Sequence, residues 1–248
     1  MAVQITVTGV VLSSMPIDEA DKRVVLLTRE MGRVSCFARG AKRMNSPLSA
    51  KTRTFAFGTF TLNPGKNAFS LSQAEISDYF EELVKDIEKT AYGYYFLELA
   101  GNFARENADE SELVSLLYFS LKALGGNTLP AKLVQRVFEI KLLAINGFCP
   151  DFSVCAVCKK PVKEGFFRPD LMQAVDSDCM KEGAYPLSRS ALYTFRFIRE
   201  NSGKRLFSFT LSDEVLKEVE AVTEFLLTHT WDREPESRKM IRVLTGEG

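Results

Sequence analysis

Hydrophobic positions change their period along the chain. Over the first 75 residues, apolar side chains alternate with polar ones, the two-residue period of strands with one buried face. Val3, Ile5 and Val7 occupy odd positions, and after Gly9 the apolar set takes in Val10 and Leu12 at even ones. The run from Thr54 to Leu62 repeats the change: Phe55 and Phe57 on one parity, Phe60 and Leu62 on the other, with Gly58 between. A parity flip at glycine marks a β-bulge or a sharp strand bend. Asn63-Pro64-Gly65-Lys66 then supplies a turn, and Ala68 to Leu71 a final short strand. Four or five bent strands in so short a stretch predict a small closed barrel, with the OB-fold ahead of an SH3-like one.

From about Ile76 the period becomes helical. Tyr79, Phe80, Leu83 and Ile87 lead into an aromatic-rich stretch, Tyr92 to Phe103, with a break expected near Gly93. A second helix spans 111–124 and stops at Gly125-Gly126; a third opens at Pro130 and stops at Asn146-Gly147. Ser188 and Ser212 are placed to cap two more, the last with the stripe Val215, Val219, Val222, Leu226, and from Trp231 onward the charged chain is expected to fray. Between them, 147–186 breaks the composition, with four of the five cysteines and too few large apolar residues for its own core. The pattern predicts an α+β multidomain chain: an N-terminal OB-fold β-barrel at 1–75, an α-helical domain in two parts at 76–146 and 187–248, and a small zinc-finger-like insertion at 147–186.

Charge changes the picture more than composition does. The chain has 32 basic and 32 acidic residues, yet Lys22 to Arg53 holds nine Lys or Arg and a single acid, Glu30. That segment carries +8 and the remainder −8, so a neutral total hides a polarised molecule. As a strand, Arg33 to Arg39 puts Val34, Cys36 and Ala38 on one face and Arg33, Ser35, Phe37 and Arg39 on the other. Cations for a phosphate backbone around a ring on which a base can stack make a surface for single-stranded nucleic acid. The competing reading is a solvated strand edge that guards against aggregation.

Cys155-Ala-Val-Cys158 and Asp176-Ser-Asp-Cys179 form two x2 loops 17 residues apart, within the spacing of a structural zinc site. Zinc accepts carboxylate as well as thiolate, so Cys155, Cys158, Asp176 and Cys179 can complete a tetrahedron, with Asp178 as a competing oxygen donor. A finger that folds without metal, a disulfide, or Cys149 as fourth ligand are the other readings. No catalytic constellation emerges: the chain has one histidine, His229, on the stripe of the last helix, and no glycine-rich phosphate loop. A binding protein rather than an enzyme is expected, with a protein-interaction adaptor whose basic stretch docks acidic peptides, or an RNA-binding barrel protein, as the alternative readings. No apolar run is long enough to span a bilayer, and the first ten residues lack the regions of a secretory leader, so a cytoplasmic location with no membrane partner is expected.

Several stretches together resemble the RecO family of bacterial recombination mediators: G-V-V-L at 9–12, D-K-R-V-V-L-L-T-R-E-M-G-R at 21–33, A-R-G-A-K-R at 38–43, and G-F-C-P at 147–150 followed by the two x2 loops. The resemblance implies an OB-fold domain, a helical domain and an inserted zinc finger. It also implies binding of single- and double-stranded DNA at the nucleoid and annealing of complementary strands. Contact with RecR and with the acidic tail of single-strand-binding protein, so that RecA is loaded, is implied as well. Lys22, Arg23, Arg29, Arg33, Arg39, Lys42 and Arg43 match the family's basic stretch and carry over as DNA contacts, and Cys155, Cys158 and Cys179 as zinc ligands. Asp176 stands where the family commonly has a fourth cysteine.

Overall fold

Both parities of the first strand are buried, and this joins the barrel to the helices. The computed structural model describes residues 4–66, 68–231 and 233–246; Val3 and the two C-terminal residues of the expected patterns lie outside them. Five strands, β1 (Ile5–Pro16), β2 (Lys22–Thr28), β3 (Gly32–Ala38), β4 (Phe57–Pro64) and β5 (Phe69–Asp78), close in the order β1-β2-β3-β5-β4. All neighbours are antiparallel except β3 and β5. Val7, Val11, Val24, Leu26, Phe60 and Leu62 fill the interior. Val10, Leu12 and Leu27, on the opposite parity, pack into the core of the helices instead.

The change of parity in β1 is therefore not a bulge at Gly9. The register shift falls later, between Val11 and Ser13. Gly9 answers a different need: a Cβ there would lie 2.1 Å from the Leu27 carbonyl oxygen, so only glycine lets these strands approach. The second expected bulge does fall at Gly58. β5 is longer than the sequence pattern suggests and runs to Asp78, with Ile76 still paired to Gly58. Polar Ser72, Gln73 and Glu75 and a second register shift at Thr61/Leu62 disguise its alternation.

Seven helices are formed among the described residues: α1 (Glu81–Val84), α2 (Ile87–Phe103), α3 (Ser111–Gly125), α4 (Ala131–Ile145), α5 (Arg189–Glu200), α6 (Asp213–Thr230) and α7 (Glu236–Thr245). α2 passes through Gly93 unbroken, and the missing side chain makes room for the Phe55 ring. Ser188 and Ser212 cap α5 and α6, accepting from the backbone N–H of Ala191 and Val215. Among the described residues the tail forms α7 and is packed rather than frayed. Glu98 on α2 accepts from the backbone N–H groups of Glu236 and Ser237 at 3.1 and 2.9 Å, Arg238 pairs with Glu224, and Ile241 is buried. Its charges have partners far away in sequence, which periodicity does not register.

One ionic network crosses the helical core. Arg136 on α4 reaches Glu139 at 2.7 Å, Glu224 at 2.6 Å and Glu220 at 3.0 Å, while Tyr95 and Gln135 donate to Glu139 at 2.6 and 2.8 Å. Desolvation raises the Glu139 carboxyl above its usual range even though Arg136 opposes it.

The insertion contributes three short strands, β6 (Gly165–Arg168), β7 (Gln173–Asp176) and β8 (Tyr185–Leu187), in the order β7-β6-β8. Its apolar residues Phe152, Phe167 and Val175 belong to the helical core, and Phe152 stacks on Phe195 of α5 with centroids 4.2 Å apart.

Candidate nucleic-acid interface and metal cluster

Strand alternation on β3 is as the sequence predicts. Val34, Cys36 and Ala38 are buried, Arg33 and Ser35 half-buried, and Phe37 is 39% exposed. Register brings its neighbours into line: Met15 on β1 lies opposite Arg23, Arg23 opposite Phe37, and Phe37 opposite Ser70. Arg23 Nε donates to Ser35 Oγ at 3.0 Å, which fixes the guanidinium on the face of β3 that carries Phe37. The strip opens into a groove of about 670 Å³ whose lining includes Arg23, Arg33, Phe37, Phe69 and Lys66, with Glu106 on one wall. Lys66, in the turn between β4 and β5, lies outside the basic run 22–53, and a lysine following Pro64-Gly65 is its only signal in the sequence.

The eight residues read from the sequence are not equivalent here. Arg29 lies in the β2–β3 turn and Arg39 just past the other end of β3. Seven strand residues at about 3.3 Å each set these ends roughly 20 Å apart. Lys22 faces away from Phe37 and donates to Ser49 O and Thr52 Oγ1, both at 3.3 Å, fastening the 39–56 loop to the barrel. Lys42 is held by the Asp18 carbonyl at 2.7 Å. Arg33 spans the junction with the helices, donating to Gly101 O at 3.0 Å and pairing with Glu106 at 3.4 Å. Arg23, Arg29, Arg39 and Arg43 are exposed, and among the described residues no carboxylate lies within ion-pairing distance of them. They and Phe37 form the part of the band best placed for a polyanion.

At the insertion, the sulfurs of Cys155, Cys158 and Cys179 lie within 4.8 Å of one another and can hold a metal ion. The x2 turn places Cys158 N–H 3.5 Å from Cys155 Sγ. Against desolvation, which would raise it, backbone N–H groups of Asp176, Cys158 and Val157 bring the Cys155 thiol down to about 6. Desolvation and the two neighbouring sulfurs hold Cys179 up at about 11. Three sulfurs converging on one point are a soft donor set that fits zinc. The Asp176 carboxylate is not part of the sulfur group; it accepts from Asp178 N–H at 3.3 Å and caps the turn carrying Cys179. Cys149 is likewise outside the group, and burial pushes its thiol up to about 12. His229 is engaged locally, its Nδ1 at 2.8 Å from Phe225 O and its ring stacked on Phe225. No helix among the described residues is long and apolar enough to cross a membrane.

Residues 1–80 match the family model described as Recombination protein O N terminal, and residues 84–239 the one described as Recombination protein O C terminal. A protein of Symbiobacterium thermophilum named DNA repair protein RecO is 32% identical over 245 residues, covering 96% of either chain. Proteins of the same name from Clostridium novyi and Clostridium acetobutylicum are 29% and 28% identical, covering 95% and 96% of this chain and 93% and 97% of their own.

Proposed function

The chain belongs to the RecO family of recombination and DNA repair proteins, and from that premise we propose that it binds single- and double-stranded DNA through the β2–β3 face of its barrel and anneals complementary strands without catalysing any reaction on them. The observation that carries this reading is the exposed row of Arg23, Phe37 and Arg39, with Arg29 and Arg43 at its two ends and no carboxylate paired to any of these arginines among the described residues. Such a face grips phosphates and stacks bases without selecting sequence, which is what annealing requires. The helical domain then presents the sites for RecR and for the acidic tail of single-strand-binding protein, so that RecA is loaded on coated DNA.

Oligonucleotide affinity tests the reading. Between 50 and 200 mM salt the log–log slope for a single strand is expected to be about −0.7 for each phosphate neutralised, or roughly −2 to −3 for the four free arginines. An affinity that does not respond to salt would reject the barrel face as a phosphate site.

The insertion's role in this proposal is structural. Cys155, Cys158 and Cys179 would hold the zinc, and Asp176, at the cap of the turn that carries Cys179, would be the residue to complete its donor set. Bound metal would neutralise the thiolates and fix two turns that have no core of their own. Elemental analysis of the purified protein is expected to give one zinc per chain. Cys158→Ser is expected to remove it and lower the melting temperature, whereas Asp176→Cys retains it against a higher chelator concentration. A metal-free native protein with the same melting temperature as chelator-treated material would exclude the site.

A further inference from the structure

A second groove repeats the make-up of the barrel's. It lies where α5, the 3-10 turn Gly203–Phe207 and the finger meet, has a volume of about 610 Å³, and is lined by Lys163, Arg189, Tyr193, Arg196 and Arg205. Glu200 is the one acid in its lining. Among the described residues none of these four cations is paired with a carboxylate; Arg196 is half-buried and donates from Nε to Leu192 O at 3.1 Å, whereas Lys163, Arg189 and Arg205 are exposed. The ring in its lining is the more accessible of the two: Tyr193 is 64% exposed, against 39% for Phe37. Arg189, Tyr193 and Arg196 recur at i, i+4 and i+7 and share one face of α5. Arg205 joins them from the following turn, its guanidinium 5.8 Å from the Phe197 ring. Beyond Tyr193 the groove continues into an adjoining cavity of about 500 Å³ walled by Phe197, Phe209 and Leu211.

We propose that this face is a second single-strand DNA site, which holds the complementary strand while the barrel holds the first. The inference rests on the proposed function in taking DNA as the ligand, and goes beyond it in placing the second strand. Annealing has to bring two polyanions together, and a single groove offers one strand's worth of cations. The α5 groove has the same three ingredients as the first: guanidinium groups without a carboxylate partner among the described residues, an exposed ring for a base, and a single acid, Glu200, in its lining. The sequence conceals it, because 189–205 holds five Lys or Arg and one acid, Glu200, within a C-terminal part, 187–248, that is neutral as a whole with ten of each sign.

The test is Arg189→Glu with Arg205→Glu, both side chains exposed, and Arg189→Gln with Arg205→Gln as the milder pair should the first not fold. Affinity for one labelled oligothymidylate at limiting concentration is expected to stay within about twofold of wild type. At saturation the protein should carry one strand instead of two, and annealing of bare complementary oligonucleotides should slow by about tenfold or more. Tyr193→Ala alone is expected to slow annealing about fivefold or more, as loss of one stacked base does. Unchanged stoichiometry and annealing in a folded variant overturn the proposal. So does unchanged annealing with lost affinity for an acidic peptide, which would assign the face to a protein tail. The barrel variant Arg23→Glu with Arg39→Glu is run in parallel: if it binds like wild type, the proposed function itself fails, whatever the α5 variants do.

Discussion

Arg136→Met is expected to destabilise the protein by about 3–5 kcal/mol at pH 8, and by clearly less at pH 5. The side chain is removed from the middle of three carboxylates. Glu220 and Glu224 retain some contact with water, but Glu139 is fully buried and would be left charged, with only Tyr95 and Gln135 donating to it. Methionine fills much of the volume, so the loss reports the uncompensated charge rather than a cavity. The pH dependence follows from the direction of the Glu139 shift. Its folded value already lies above the ordinary 4.5, and losing Arg136 raises it further. A carboxyl whose folded pKa is raised binds its proton more tightly when folded. Its penalty is absent below about 4.5 and grows as pH rises toward the folded value. Urea unfolding at the two pH values measures the difference. Pairing the change with Glu139→Leu should recover most of the loss at pH 8 and abolish its pH dependence. If Arg136→Met were equally destabilised at both pH values, packing and not charge would be the cause.

Arg23→Glu combined with Arg39→Glu is expected to weaken single-strand binding by about 100-fold or more at physiological salt, with the melting temperature unchanged. Each reversal removes a charge-assisted phosphate contact and adds a repulsion; at roughly 1.5 kcal/mol or more per contact, two give at least 3 kcal/mol. Neither arginine carries the fold: Arg23 spends one donor on Ser35, and both are exposed. Lys22→Glu and Arg33→Glu would be poorer probes, since the first unfastens the loop at Ser49 and Thr52 and the second breaks the tie to Gly101. Fluorescence anisotropy with a labelled oligonucleotide, checked by thermal melting, reads both quantities. Wild-type affinity in the folded double variant would move the site off the barrel.

The alternation Arg33-Val34-Ser35-Cys36-Phe37-Ala38 determined its own outcome, because a strand's two-residue period leaves one way to bury the small apolar set and it turns Phe37 outward. The capping serines 188 and 212 and the cysteine spacing were equally decisive, each being a contact over a few residues of chain. Only the tertiary structure decided that Lys22 and Arg33 serve the scaffold while Arg23 and Arg39 face solvent, and that α7 is anchored by Glu98. It likewise decided that Asp176 caps a turn and that a second cationic groove forms at α5. The physical reason is one of range: periodicity and capping are fixed by neighbours along the chain, whereas the partner of a long charged side chain is whatever folding brings beside it.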